Sequence, residues 1–311
     1  MSLARRALLA LSTSAWLRER ASRSRVVRRS VSRFMPGERL DDALRAAREQ
    51  QAGGMPAILT HLGENLTGDA QADAVAAHYL DALDRIAAAA LDVHVSVKLT
   101  QLGLDADADR CARRLHAIVA RASGPRQIVW IDMESSAYVD RTIQLFLGAR
   151  ERSARVGLAL QAYLHRTADD LERLLPVGPA IRLVKGAYLE GASTALQHRI
   201  DVDERYYRLG VRLLEHAASG GVPVVHIATH DPRLVRRLGA MAAERSVPAS
   251  AFEYAMLYGI QRSLQAQLVA EGSQVRVLIA YGDNWFPWYM RRLAERPANV
   301  WLLVRNAGIG D

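Results

Sequence analysis

The chain has 311 residues, half of them apolar, which is enough for one large domain with a sizeable core. Its one cysteine, Cys111, excludes an internal disulfide, and without CxxC, HxH or HExxH spacing the sequence offers no metal-ligand pattern. The net charge of +8 resides in residues 1–37, where nine arginines face the one acid Glu19; the neutral remainder does not read as a nucleic-acid binder.

Residues 1–54 read as a basic helical extension with a break at Met35-Pro36-Gly37. Leu3, Leu8, Leu9, Leu11, Trp16 and Leu17 interleave with its arginines. That pattern suits a membrane-surface helix, a mitochondrial transit peptide, or a solvated helix packed on the domain behind it. From residue 55 short apolar runs rich in β-branched residues alternate with helical patterns. Strands are predicted at 55–63, 92–99, 127–134, 155–163, 180–188, 223–230, 250–257 and 274–282. After the first comes a helical stretch, GDAQADAVAAHYLDALDRIAAAA; after the sixth comes DPRLVRRLGAMAAERS, with Asp231 as N-cap and Pro232 at the first helical position. Such a series of βα units with near-continuous apolar strands predicts a (β/α)8 barrel over 55–311. An open doubly wound sheet is the alternative, and the lack of GxGxxG and of GxxxxGK[ST] counts against it.

In such a barrel the active site lies at the C-terminal strand ends. Those ends carry Glu64, Lys98, Asp132 with Glu134, Gln161 with Tyr163, Arg182, Lys185 and Tyr188, then Thr229, His230 and Asp231, and Tyr281. One such group would be a loop cap, but a ring of them points to a site, because buried polar groups need partners. The chain has 39 arginines and only two lysines, Lys98 and Lys185, both at the polar end of an apolar run. They mark places where a compact point charge or a tunable amine is wanted. The final helix sets Arg291 and Arg292 between Trp288 and Glu295, with Trp285, Phe286 and Tyr289 nearby, a composition suited to a lid that grips a small carboxylate.

LTHLGENLT, SVKLTQLGLD, WIDME, LQAYLHR, RLVKGAY, IATHD, FEYAMLYGI and YGDNWFPWYMRRLAERPAN resemble, in order, the motifs of proline dehydrogenases, most closely the short single-function bacterial type. The resemblance covers roughly residues 33–307. It implies a distorted (β/α)8 barrel with N-terminal helices and a C-terminal lid helix, non-covalent FAD at the strand C-termini, and L-proline on one flavin face. Hydride would pass from proline C5 to flavin N5, giving Δ1-pyrroline-5-carboxylate, and a membrane quinone would take the electrons.

The same resemblance implies residue roles. Asp132 and Arg182 are the expected catalytic pair, and Lys98, Arg291 and Arg292 hold the substrate carboxylate, with Tyr281 and Trp288 beside the substrate ring. Met133, Gln161, Arg182, Val184, Lys185, Gly186, Ala187, Thr229 and His230 are the expected FAD contacts, and Glu64 pairs with Arg291 when the lid closes. Trp288 stands where the family usually has Tyr, and Gly191 where it often has Pro. A pyrroline-5-carboxylate dehydrogenase is an implied partner. The expected location is cytoplasmic, peripheral on the inner membrane face through residues 1–30, with mitochondrial import as the other reading of that arm. A related flavin barrel oxidising another imino acid, such as hydroxyproline, is the alternative activity.

Overall fold

The computed structural model describes residues 27, 30–63, 66, 68–124, 126–220 and 224–295, the last five as helix backbone only. Eight parallel strands close into a barrel in chain order. They are β1 (Ala57–His61), β2 (Val93–Val97), β3 (Val129–Ile131), β4 (Val156–Gln161), β5 (Ala180–Val184), β6 (Val225–Ala228), β7 (Phe252–Leu257) and β8 (Val275–Tyr281). Each lies within its predicted run, and β8 pairs with β1 from Ala57 opposite Val277 to His61 opposite Tyr281. The predicted (β/α)8 barrel is the observed fold.

Helices α1 (Leu40–Ala52), α2 (Asp69–Ala88), α3 (Ala108–Arg121), α4 (Val139–Arg152), α5 (Thr167–Leu174), α6 (Arg199–Ala218), α7 (Pro232–Glu244), α8 (Arg262–Ala270) and α9 (Trp285–Glu295) accompany them, with short 3-10 turns at Thr100–Leu102, Ser136–Tyr138, Leu175–Val177 and Ala249–Ala251. α7 starts as its sequence requires: the Asp231 carboxylate accepts the Arg233 N–H, and Pro232 occupies the first turn, where no N–H is needed. α1, within the predicted extension, packs against β1 and β8 and adds Leu40, Ala43, Leu44, Ala46 and Ala47 to the main core. α9 belongs to a separate apolar cluster with Val31, Met35, Leu62 and Ala280, near the C-terminal ends of β1 and β8. Trp285 Nε1 donates to Glu38 at 3.0 Å and Tyr289 hydroxyl to Ser30 Oγ at 2.6 Å, so residues 30–38 strap the start of α9.

The two faces of the barrel strands bury different material. Outward residues such as Leu59, Val95, Ile131, Leu183 and Ile279 join the helices in one large core. The inward apolar cluster is small, built on Ile58, Trp130 and Ala180. The rest of the inward space holds buried polar groups, among them His94, Ser96, Arg182, His226, Glu253 and Arg276. At the barrel floor Arg276 donates from Nη2 to Glu253 at 3.0 Å and from Nη1 to Asp92 at 2.9 Å. Such an ion-paired interior is far from the usual stack of branched aliphatic side chains.

Gly157 of β4 is dictated by this interior. A Cβ there would lie 2.6 Å from the Trp130 ring, closer than packing tolerates. Gly157→Ala is therefore expected to destabilise the protein by about 1–3 kcal/mol, as overpacked cores do. Urea unfolding measures this, and wild-type stability in the variant would mean that Trp130 is free to move aside.

Candidate active site

The strand ends converge on one charged cluster. Asp132 follows β3, Lys98 follows β2, and Arg182 lies within β5. Lys98 Nζ is 3.4 Å from one Asp132 carboxylate oxygen. Arg182 pairs with the other oxygen through Nη2, and the same nitrogen donates to Ser96 Oγ at 2.8 Å. Ser96 in turn donates to Asp132 at 2.9 Å, which closes a triangle of side chains from three strands. Arg182 is 2% exposed.

Electrostatics follow from that geometry. Burial pushes the Asp132 carboxyl up, but Arg182, Lys98 and the Ser96 hydroxyl outweigh it and hold Asp132 below the ordinary carboxylate value. Burial lowers Arg182 from its ordinary value against the pull of Asp132. Glu134, two residues on, is raised by burial although it accepts the Thr100 N–H at 3.1 Å and the Thr100 hydroxyl at 2.6 Å. Those bonds pin the chain just past Lys98 and so help to place its ammonium.

The remaining predicted residues fall into several groups. Gln161 is buried and bridges strand ends, its Nε2 donating to the Glu134 carbonyl at 2.8 Å and its Oε1 accepting the Ala187 N–H at 3.4 Å. Thr229 accepts the Asp231 N–H at 3.2 Å, and His230 Nε2 accepts the Leu257 N–H at 2.8 Å. Val184, Gly186 and Ala187 are half-buried along the exit of β5, and Met133 is buried in the main core. Lys185 pairs with Asp203, and with Asp231 at 3.4 Å, so it reaches a ligand phosphate only by sharing or exchanging these partners.

Gly186 has φ +117°, a conformation that favours glycine, and a Cβ there would strike the Tyr163 ring. The close neighbour that requires this glycine is therefore Tyr163.

Tyr281 departs from expectation. On β8 the inward residues are Arg276, Leu278 and Ala280, while Tyr281 has the outward parity of Val277 and Ile279. Its ring is fully buried, and its hydroxyl meets His78 Nε2 of α2 at 2.8 Å. It packs between barrel and helix, so it cannot also lie on a substrate inside the mouth. Half-buried Leu278 is the β8 side chain on the inward face above Arg276.

Trp288 is buried in the α9 cluster. Arg291 and Arg292 lie on α9 with their side chains outside the described residues, and Glu64 is itself outside them, so the expected lid pair is not among the described contacts. Ser96 and Trp130 are site residues that the strand-end pattern does not single out. They stand in SVKLTQLGLD and WIDME, where a small polar and a large aromatic residue within largely aliphatic strands are the signal the sequence offers.

Among the described residues no group of three or more His, Cys, Asp or Glu side chains is placed to hold a metal, and no helix is long and apolar enough to cross a membrane.

Comparison with known proteins bears on the fold and the family. The solved structure of proline utilization A from Bdellovibrio bacteriovorus, inactivated by N-propargylglycine, superposes with a TM-score of 0.78 at 22% identity over 86% of this chain. Proline utilization A from Corynebacterium freiburgense gives 0.73 at 22% identity over 94%. The chain spans about a third of the length of these solved proteins, 32% and 33%, and the likeness establishes the shared barrel. Proline dehydrogenase 1 of Bacillus subtilis is 34% identical over 279 residues, covering 90% of this chain and 91% of its own. The proline dehydrogenase of Deinococcus radiodurans is 34% identical over 281 residues, 89% of each. The sequence model of the family, described as proline dehydrogenase, matches residues 43–303. By family match, by relatives aligned over nearly their whole length, and by fold, this chain belongs to the proline dehydrogenase family.

Proposed function

We propose that this chain oxidises L-proline to Δ1-pyrroline-5-carboxylate with non-covalently bound FAD at the C-terminal mouth of the barrel, and passes the electrons to a membrane quinone. Convergence of Lys98, Asp132 and Arg182 at that mouth carries the reading. The donor set fits the cofactor. Arg182 Nη1 is buried without a hydrogen-bond partner among the described residues, so the folded site is one acceptor short. The ring nitrogens and carbonyls of a flavin are acceptors of that kind. Arg182, Lys185, Thr229, His230 and the Gly186–Ala187 backbone would hold FAD, which when bound supplies the hydride acceptor.

The chain's own groups do the rest. Lys98 with Arg291 and Arg292 would fix the substrate carboxylate and orient the ring carbon beside its nitrogen. Hydride loss there needs a neutral amine while the carboxylate stays ionised. Asp132, kept charged by its two cations, holds Lys98 in place and balances the positive charge. A cation beside the acceptor ring favours its electron-rich form, the role assigned to Arg182. A pyrroline-5-carboxylate dehydrogenase is the matching consumer of the product. The peripheral membrane contact assigned to residues 1–30 falls almost wholly outside the described residues.

Denaturing the purified protein is expected to release yellow FAD, and the native protein to bleach on anaerobic addition of L-proline. A colourless protein that cannot be reconstituted with FAD would overturn this reading.

A further inference from the structure

The family resemblance assigns nothing to the aromatic side chains beneath Arg182. Trp130 is fully buried inside the barrel, and the Arg182 guanidinium carbon lies 5.2 Å from its ring centroid. The indole N–H donates to His94 Nδ1 at 2.9 Å, and His94 Nε2 lies 2.7 Å from the Arg126 carbonyl. A ring nitrogen that accepts an N–H carries no proton, and one facing a carbonyl must donate. His94 is thus neutral and locked in one tautomer. The His226 ring also lies against the indole, 4.2 Å away between ring centroids, and His226 stacks on His94 at 5.7 Å and 6°. Gly157 also abuts the ring, so closely that a Cβ there would lie 2.6 Å from it.

Arg182 needs such a backing. Its described hydrogen bonds, to Ser96 and to Asp132, are both made by Nη2. Attachment through one nitrogen fixes a point but leaves the plane of the guanidinium free to swing. A flat ring face across from it supplies the missing constraint, because a guanidinium is attracted to an indole face.

We propose that Trp130, braced by His94, is a positioning residue for the reaction, fixing the plane of Arg182 and with it the Asp132–Ser96–Arg182 triangle next to Lys98. The proposal rests on the flavin reading of the same mouth, and one measurement below separates the two.

Trp130→Leu removes the ring face, Trp130→Phe keeps a face but loses the donor, and His94→Leu removes the brace. In the FAD-loaded enzyme, Trp130→Leu is expected to lower the rate of flavin reduction by saturating proline about tenfold, with KM little changed. The flavin midpoint potential should shift negative in the same variant. Trp130→Phe and His94→Leu should fall between it and wild type in both readouts. Wild-type rate and potential in Trp130→Leu would overturn the proposal, as would a KM that rises as much as kcat falls. If Trp130→Leu does not fold, the other two variants decide, and wild-type values in both overturn it. A wild-type protein without flavin would end the functional reading alone. The Arg182 Nε–H proton resonance, assigned with Arg182→Lys, then decides. It should be shifted upfield by the indole in wild type and relax downfield in Trp130→Phe and His94→Leu, and an unmoved signal overturns the proposal.

Discussion

Asp132→Ala is expected to cost about 3 kcal/mol of stability and to remove proline turnover with it. Removing one partner of a buried ion pair strands the other charge, a loss of roughly 3–5 kcal/mol. Asp132 serves two cations, Arg182 with its side chain 3% exposed and Lys98 at 12%, while its own side chain is 23% exposed. That partial access to water places the expectation at the lower end of the range. Asp132→Asn keeps the volume and an acceptor for Ser96 but removes the charge, so it should fall between alanine and wild type. The effect also sets a pH dependence. The folded carboxyl is held below its ordinary value, so its stabilisation is complete above the unfolded carboxylate pKa and is lost as pH falls through the folded one. Asp132→Ala should therefore flatten the acid limb of stability against pH. Urea unfolding at neutral and acid pH tests both points. An alanine variant as stable as wild type, with an unchanged acid limb, would show that the charges at the mouth are not coupled.

Arg292→Met should lower kcat/KM for proline by about two to three orders of magnitude while FAD stays bound. Truncating one member of a desolvated, hydrogen-bonded charge pair costs roughly 2–5 kcal/mol, and each 1.4 kcal/mol is about tenfold. The backbone of α9 runs helical through Glu295 and carries Arg291 and Arg292 one turn beyond Trp288, whose cluster includes Leu62 and Ala280 near the ends of β1 and β8. Steady-state kinetics with FAD content measured on the same sample separates this loss from cofactor loss. Proline use within about threefold of wild type would remove Arg292 from substrate binding.

Much of the site could be read from the chain, for particular reasons. Lys98, Asp132 and Arg182 stand out in the sequence because polar residues toward the ends of apolar strands face one mouth in a parallel barrel, and the structure brings these three together. Lys185 stands out on the same ground, yet its described ion pairs are with Asp203 of α6 and with Asp231 at the α7 N-cap. Position along a strand says which end a residue is near. It says nothing of which helix terminus comes to meet it.

The sequence by itself determined the number, order and placement of the strands, the barrel class, and the start of α7 at Asp231 and Pro232, because these depend on local periodicity and on cap and proline chemistry. It did not determine which strand face looks inward. Parallel strands buried on both sides carry no hydrophobic alternation to mark one face from the other. Tyr281 could therefore be expected at the substrate and be found against His78 of α2. Only the closed barrel decided that Ser96, Asp132 and Arg182 share hydrogen bonds, and that Trp130 lies beneath the guanidinium. Those partners come from three different strands, and their meeting depends on register across the sheet, which no local stretch of sequence encodes.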